Sequence, residues 1–119
     1  MTPKQLKEAL ADLKLKRKPV DVPGIDGLFV AEISAEDLDE YNTLLATATD
    51  AEGKLVKPMP HLRSALVCKS LVDEDGKRLY TDQELDQVGR LPSAVLETLY
   101  QAARRINGVD ESAEEAAKN

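Results

Sequence analysis

Apolar residues at helical spacing open the chain. Leu6, Ala9, Leu10 and Leu13 fall on one face of a stretch that begins Thr2-Pro3-Lys4-Gln5. Thr followed three residues later by Gln is a capping box, and proline suits the first helical position, so the pattern predicts an amphipathic helix over about 3–14. So short a helix is marginal in isolation and must dock, on the rest of the fold or on a partner; core packing is the commoner outcome. A second stripe, Leu38, Tyr41, Leu45 and Ala48, follows Ser34, with Glu36 and Asp37 in a first turn where the helix dipole favours acids. Thr81-Asp-Gln-Glu84 is another capping box. It opens a short helix with Leu85 and Val88 inward and Gly89 as its stop. After Pro92 comes the cleanest periodicity, with Leu96, Leu99, Ala103 and Ile106 on one face, Val95 and Tyr100 beside it, and Glu97, Gln101 and Arg104 outward. That helix runs over about 92–106 and is closed by Asn107-Gly108.

Between these stretches the pattern turns β-like. Val20–Val22 and Leu28–Ile33 flank Pro23-Gly-Ile-Asp-Gly27, which predicts a hairpin with a five-residue loop. Residues 62–72 are ambiguous: Leu62, Ala65, Leu66 and Val72 suit a helix, whereas the Leu66-Val67-Cys68 run suits a buried strand. The turn signal Asp73-Glu-Asp-Gly76 tips the reading to a strand, with Lys77–Tyr80 returning as its partner. Residues 50–60 read as a loop. The predicted architecture is a single α+β domain over 1–108, a small sheet or pair of hairpins covered by about four helices. Helix 3–14 is open to being mobile, and an acidic, flexible tail is expected over 109–119.

Composition narrows the classes. A chain of 119 residues holds one modest core, and 42% hydrophobic with 32% charged residues fits a globular domain rather than a disordered one. Its apolar runs are too short for a membrane span, and its first helix carries charges foreign to a signal peptide. One cysteine forms no internal disulfide, which points to a reducing cytoplasm. The net charge of −6 hides a polarity: residues 1–20 carry six Lys/Arg, including Lys14, Lys16, Arg17 and Lys18, while residues 21–52 carry nine acids and no Lys or Arg. A basic cluster invites nucleic acid. Here the acidic segment beside it offers internal partners and repels phosphates, and no aromatic side chain is interleaved to stack on bases.

Candidate chemistry fails on inspection. Asp73–Glu84 imitates a calcium loop, yet Lys77 stands at its fifth position and Arg78 where the sharp turn needs glycine. Glu36, Asp37, Asp39 and Glu40 form a carboxylate run without histidine, the ordinary look of a solvated helix face. Cys68 and His61 would make a nucleophile–base pair, but Cys68 lies in an apolar run and no oxyanion motif surrounds either. One His and one Cys build no zinc site. No cofactor and no enzymatic activity are expected.

Order and spacing of motifs carry more. Val20–Tyr41, then Ser70-Leu-Val-Asp-Glu-Asp-Gly-Lys-Arg-Leu-Tyr-Thr-Asp-Gln-Glu-Leu85, then Leu91–Gly108 with its Arg-Arg-Ile-Asn-Gly ending, resemble the tail assembly chaperones of long-tailed bacteriophages. The resemblance implies a protein made in the cytoplasm of an infected bacterium and absent from the finished particle. Its partner is the long helical tape measure protein, kept soluble until tail-tube subunits polymerise around it. On that reading the partner-binding surface is expected at a rim around Leu6, Leu10 and Tyr100, including Lys16, Arg17 and Lys18. Many members of the family also exist in a longer form made by a −1 ribosomal frameshift, through which the major tail protein becomes a second partner. Ala117-Lys118-Asn119, encoded GCA AAA AAC, would contain the slippery heptamer, marking Lys118 and Asn119 as the junction. Self-association into a homo-oligomer is compatible with this role. Two alternatives stay open: a structural tail or head-completion protein retained in the particle, and a small nucleic-acid-binding regulator using Lys14–Lys18.

Overall fold

The computed structural model describes residues 1–48 and 62–109. Its elements are α1 (Pro3–Ala11), β1 (Arg17–Pro19), β2 (Phe29–Ala31), α2 (Ala35–Ala48), α3 (Leu62–Ser70), β3 (Leu71–Val72), a 3-10 turn at Asp82–Glu84 that runs into α4 (Leu85–Gly89), and α5 (Ser93–Ile106). The fold is α+β, with a three-stranded antiparallel sheet in the order β1-β2-β3. The expected loop 50–60, His61, and the tail from Asp110 on lie outside the described residues.

The helix signals acted where expected. Thr2 Oγ1 accepts from the Gln5 N–H at 3.2 Å, and Gln5 Oε1 accepts from the Thr2 N–H at 2.9 Å. At the second box Glu84 Oε1 accepts from the Thr81 N–H at 2.8 Å while the Glu84 N–H donates to the Thr81 carbonyl at 3.0 Å, and Ser34 Oγ accepts from the Asp37 N–H at 3.2 Å. Helix α1 stops a turn earlier than predicted, at Ala11, and buries none of its residues. Leu13 and Leu15, beyond its end, are also exposed.

Three expectations are corrected. The hairpin exists, but its strands are Arg17–Pro19 against Phe29–Ala31, in the register Lys18 to Val30. Pro19 lacks an N–H, which an edge strand tolerates. The hairpin tapers through Val20 N–H to Leu28 C=O (3.0 Å) to a two-residue turn in which Ile25 N–H donates to Val22 C=O at 3.0 Å. Pro23 fixes φ at its first corner and Gly24, at φ +83°, takes the left-handed second corner of a type II turn. The second correction is α3, a helix where a strand was expected. Only Leu71–Val72 extends, pairing with β2. Every residue from Ser64 to Ser70 is buried, and a helix enclosed on all sides shows no polar face to reveal its period. The turn after it forms as expected, with Gly76 N–H to Asp73 C=O at 3.0 Å, and Lys77–Tyr80 returns as a single bridge, Val72 to Arg78. Third, Arg104 faces inward. It is 5% exposed, lies over the Tyr100 ring at 5.5 Å, and donates to the Val109 and Gln101 oxygens.

The core follows from α3. One cluster joins Val22 and Val30 of the hairpin to Val67 and Cys68 of α3, Val88 of α4, and Leu96 and Leu99 of α5. A second joins Tyr41 of α2 to Ala65, Leu66 and Ala103. Val109 packs against this second cluster. Asn107 ties the layers together: its Oδ1 accepts from Ile33 N–H at 2.8 Å, and its Nδ2 reaches the carbonyls of Ala103 (2.9 Å) and Ala31 (3.3 Å) and Ser70 Oγ (3.4 Å).

Candidate functional site

Two surfaces stand out, and the first is α1. Leu6 is 48% exposed and Leu10 66%, with Leu13 and Leu15 more than half exposed just beyond. A capped, amphipathic helix that buries nothing leaves an apolar stripe in water. Lys16, just before β1, and Arg17 and Lys18 on it follow, all exposed. Among the described residues no ion pair holds them: Lys16 is tied only through its backbone, its N–H donating to Glu32 Oε1 at 2.8 Å. Among the described residues, the internal neutralisation expected from the acidic segment is therefore not made by salt bridges. Tyr100 does not belong to an exposed rim. It is half-buried in α5 against both core clusters, with its hydroxyl 3.4 Å from that of Tyr41. Lys118 and Asn119 lie outside the described residues.

The second surface is a cleft between α2, α3 and the 3-10 turn, with a volume of about 770 Å³. At its floor Lys69, with its side chain 7% exposed, extends Nζ to Glu40 Oε2 (2.6 Å), Asp37 Oδ1 (3.4 Å) and Asp82 Oδ2 (3.5 Å). Burial pulls the ammonium pKa down, but the hydrogen bond to Glu40 and the charges of Asp82, Asp37 and Glu40 outweigh it and raise it above the usual lysine value. Asp82 also accepts from Arg78 Nη2 at 2.8 Å, and Arg78 donates to the Cys68 carbonyl. That arginine bond, with Lys69 adding to it and burial opposing, holds the Asp82 carboxyl below its ordinary value.

The same three carboxylates, Asp37, Glu40 and Asp82, lie within 4.8 Å of one another, a spacing that suits a metal ion. The Lys69 ammonium is the cation already seated among them. Sequence reasoning saw the helix acids as a solvated face and missed this cluster. The available signal was Lys69 itself, a charge within an apolar run that burial obliges to find partners. Asp73 uses its carboxylate locally, Oδ1 accepting from the Asp75 and Lys77 N–H groups at 2.8 and 3.0 Å, the work of a turn cap. Burial pushes the Cys68 thiol up to about 11, so it is a packing residue with little thiolate at neutral pH.

The sequence matches no protein-family model and no curated protein. A solved structure does match: the bacteriophage HK97 tail assembly chaperone, at a TM-score of 0.58 and 24% identity, over 87% of this chain and 99% of that one. This chain has the fold of that chaperone. The likeness extends over nearly the whole of the chaperone, so what is shared is a complete domain and not a local motif. Among the described residues no helix is long and apolar enough to cross a membrane.

Proposed function

We propose that this chain is a phage tail assembly chaperone that binds the tape measure protein in the cytoplasm of the infected host, keeps it soluble, and leaves before the particle is complete. The supporting observation is the fold shared with the HK97 tail assembly chaperone along 99% of its length. The surface of α1 suits the role. A helical partner with an apolar face is the natural cover for Leu6 and Leu10, and Lys16, Arg17 and Lys18 extend that surface toward acidic positions on it. Tyr100 packs against the core clusters and is not part of this surface. A longer form joined at Lys118-Asn119 by frameshifting would bring the major tail protein to the same complex. Nothing in this reading calls for catalysis.

Quantitative mass spectrometry of infected cells and of purified particles tests it. The chain is expected in the lysate during assembly and absent from particles that contain the tape measure protein. Stoichiometric retention in particles would instead make it a structural tail or head-completion protein.

A further inference from the structure

We infer that the cleft between α2, α3 and the 3-10 turn is a docking groove for a basic amphipathic helix. This rests on the tape measure reading and adds to α1 a second contact with that partner, made through its basic residues.

Among the described residues four carboxylates line the cleft, Glu36, Asp39, Glu40 and Asp82, against one ammonium, Lys69. The ammonium is consumed by its own partners, since Nζ is within 3.5 Å of Glu40, Asp37 and Asp82. Glu36 and Asp39 are exposed on the rim and, among the described residues, have no ion pair. Below the rim the lining is apolar, with Leu44 and Leu85 half-buried over Tyr41 and Ala65. An apolar floor beneath an anionic rim matches a helix with an apolar stripe bordered by Lys or Arg. It repels a nucleic acid, whose phosphates would face unpaired carboxylates. A metal ion is no better an occupant, because Lys69 already holds the position where three of the carboxylates converge. The walls of the groove are joined: α2, α3 and the 3-10 turn meet through Lys69, and Arg78 links the turn to α3 again.

The test uses the full chain co-expressed with the tape measure protein of the same genome, recovered on a tag carried by this chain. Asp39→Lys with Thr43→Lys reverses the rim at two exposed positions outside the Lys69 network. Glu36→Gln with Asp39→Asn is the milder pair. Thermal melts establish that both fold. Recovery of the tape measure protein with the wild type is expected to fall as NaCl is raised from about 0.05 to 0.5 M. It should fall about tenfold in the reversed pair and less in the neutral pair. Replacing basic residues of the bound tape measure segment by Glu should restore recovery with the reversed pair. If the wild type recovers the tape measure protein and both variants do so equally, the groove is wrong while the chaperone reading stands. If the variants alter only self-association of this chain on size exclusion, the groove takes a second copy, and the inference is overturned. If the wild type recovers none, the chaperone reading falls and the inference with it.

Discussion

At Asn107 one side chain makes four hydrogen bonds, to the end of β2, to Ile33 after it, to α3 and to its own helix. Its replacement by Ala strands the Ile33 N–H and the Ala31 carbonyl in a part-buried site, at a cost of about 1–3 kcal/mol for a buried group left unpaired. Urea unfolding of Asn107→Ala should show that loss as a lower midpoint with an unchanged slope. The sequence marked Asn107 only as a helix stop; what it holds across 74 positions of sequence, from Ile33 to Asn107, is set by tertiary packing. Charged residues make a second prediction. Asp82 is held below its ordinary value of 3.8 by Arg78 first and Lys69 next. Glu97 is held below 4.5 by Gln101 and then Arg63. A carboxylate with a folded pKa below its unfolded one stabilises the fold above the unfolded value and loses that contribution as pH falls through the folded value. The urea midpoint should therefore hold from about pH 7 to 5 and decline below about pH 4. Asp82→Asn should start lower at neutral pH and decline less steeply.

The two nine-residue helices, α1 and α3, have opposite fates. Helix α3 is enclosed, with Leu66 fully buried between α2 and α5. Leu66→Ala should cost about 2–5 kcal/mol, the usual range for a core leucine. Helix α1 buries nothing, so Leu6→Asp with Leu10→Asp should change stability by no more than about 0.5 kcal/mol while abolishing any partner contact made there. Differential scanning calorimetry of the two variants side by side measures both. The contrast also explains what the sequence disclosed. Helices α1, α2 and α5 each have one wet face, and a wet face is what periodicity reports; their caps at Thr2 and Ser34 then set the starts. Helix α3 has no wet face, so its apolar run read equally as strand, and the turn at Asp73–Gly76 tipped it the wrong way. Strand β1 was missed for the opposite reason. Arg17 and Lys18 carry no alternation because both faces of this edge strand are exposed, and the first strand of the hairpin was placed three residues too far along, while the second contains β2.

Over the whole molecule, the α+β class and the order of elements outside residues 62–80 were legible, because capping boxes and turn signals are local. The surfaces were legible only in part. Leu6 and Leu10 are exposed although core packing was the favoured reading of their helix, and Lys16–Lys18 are exposed beside them in sequence, while Tyr100 turned toward both core clusters and Arg104 is buried. The acidic cleft was invisible in sequence because it is assembled from α2, α3 and the 3-10 turn, which meet only in the fold. On the proposed function, the fold shared with a tail assembly chaperone, the exposed apolar stripe of α1 and the acidic groove serve to hold another protein. The most direct test of that account is the soluble fraction of the tape measure protein from the same genome, expressed alone and together with this chain. The account predicts that the tape measure protein is insoluble alone and soluble, in complex, with the chain present. A tape measure protein equally insoluble in both cultures, with the chain itself folded and abundant, would contradict it.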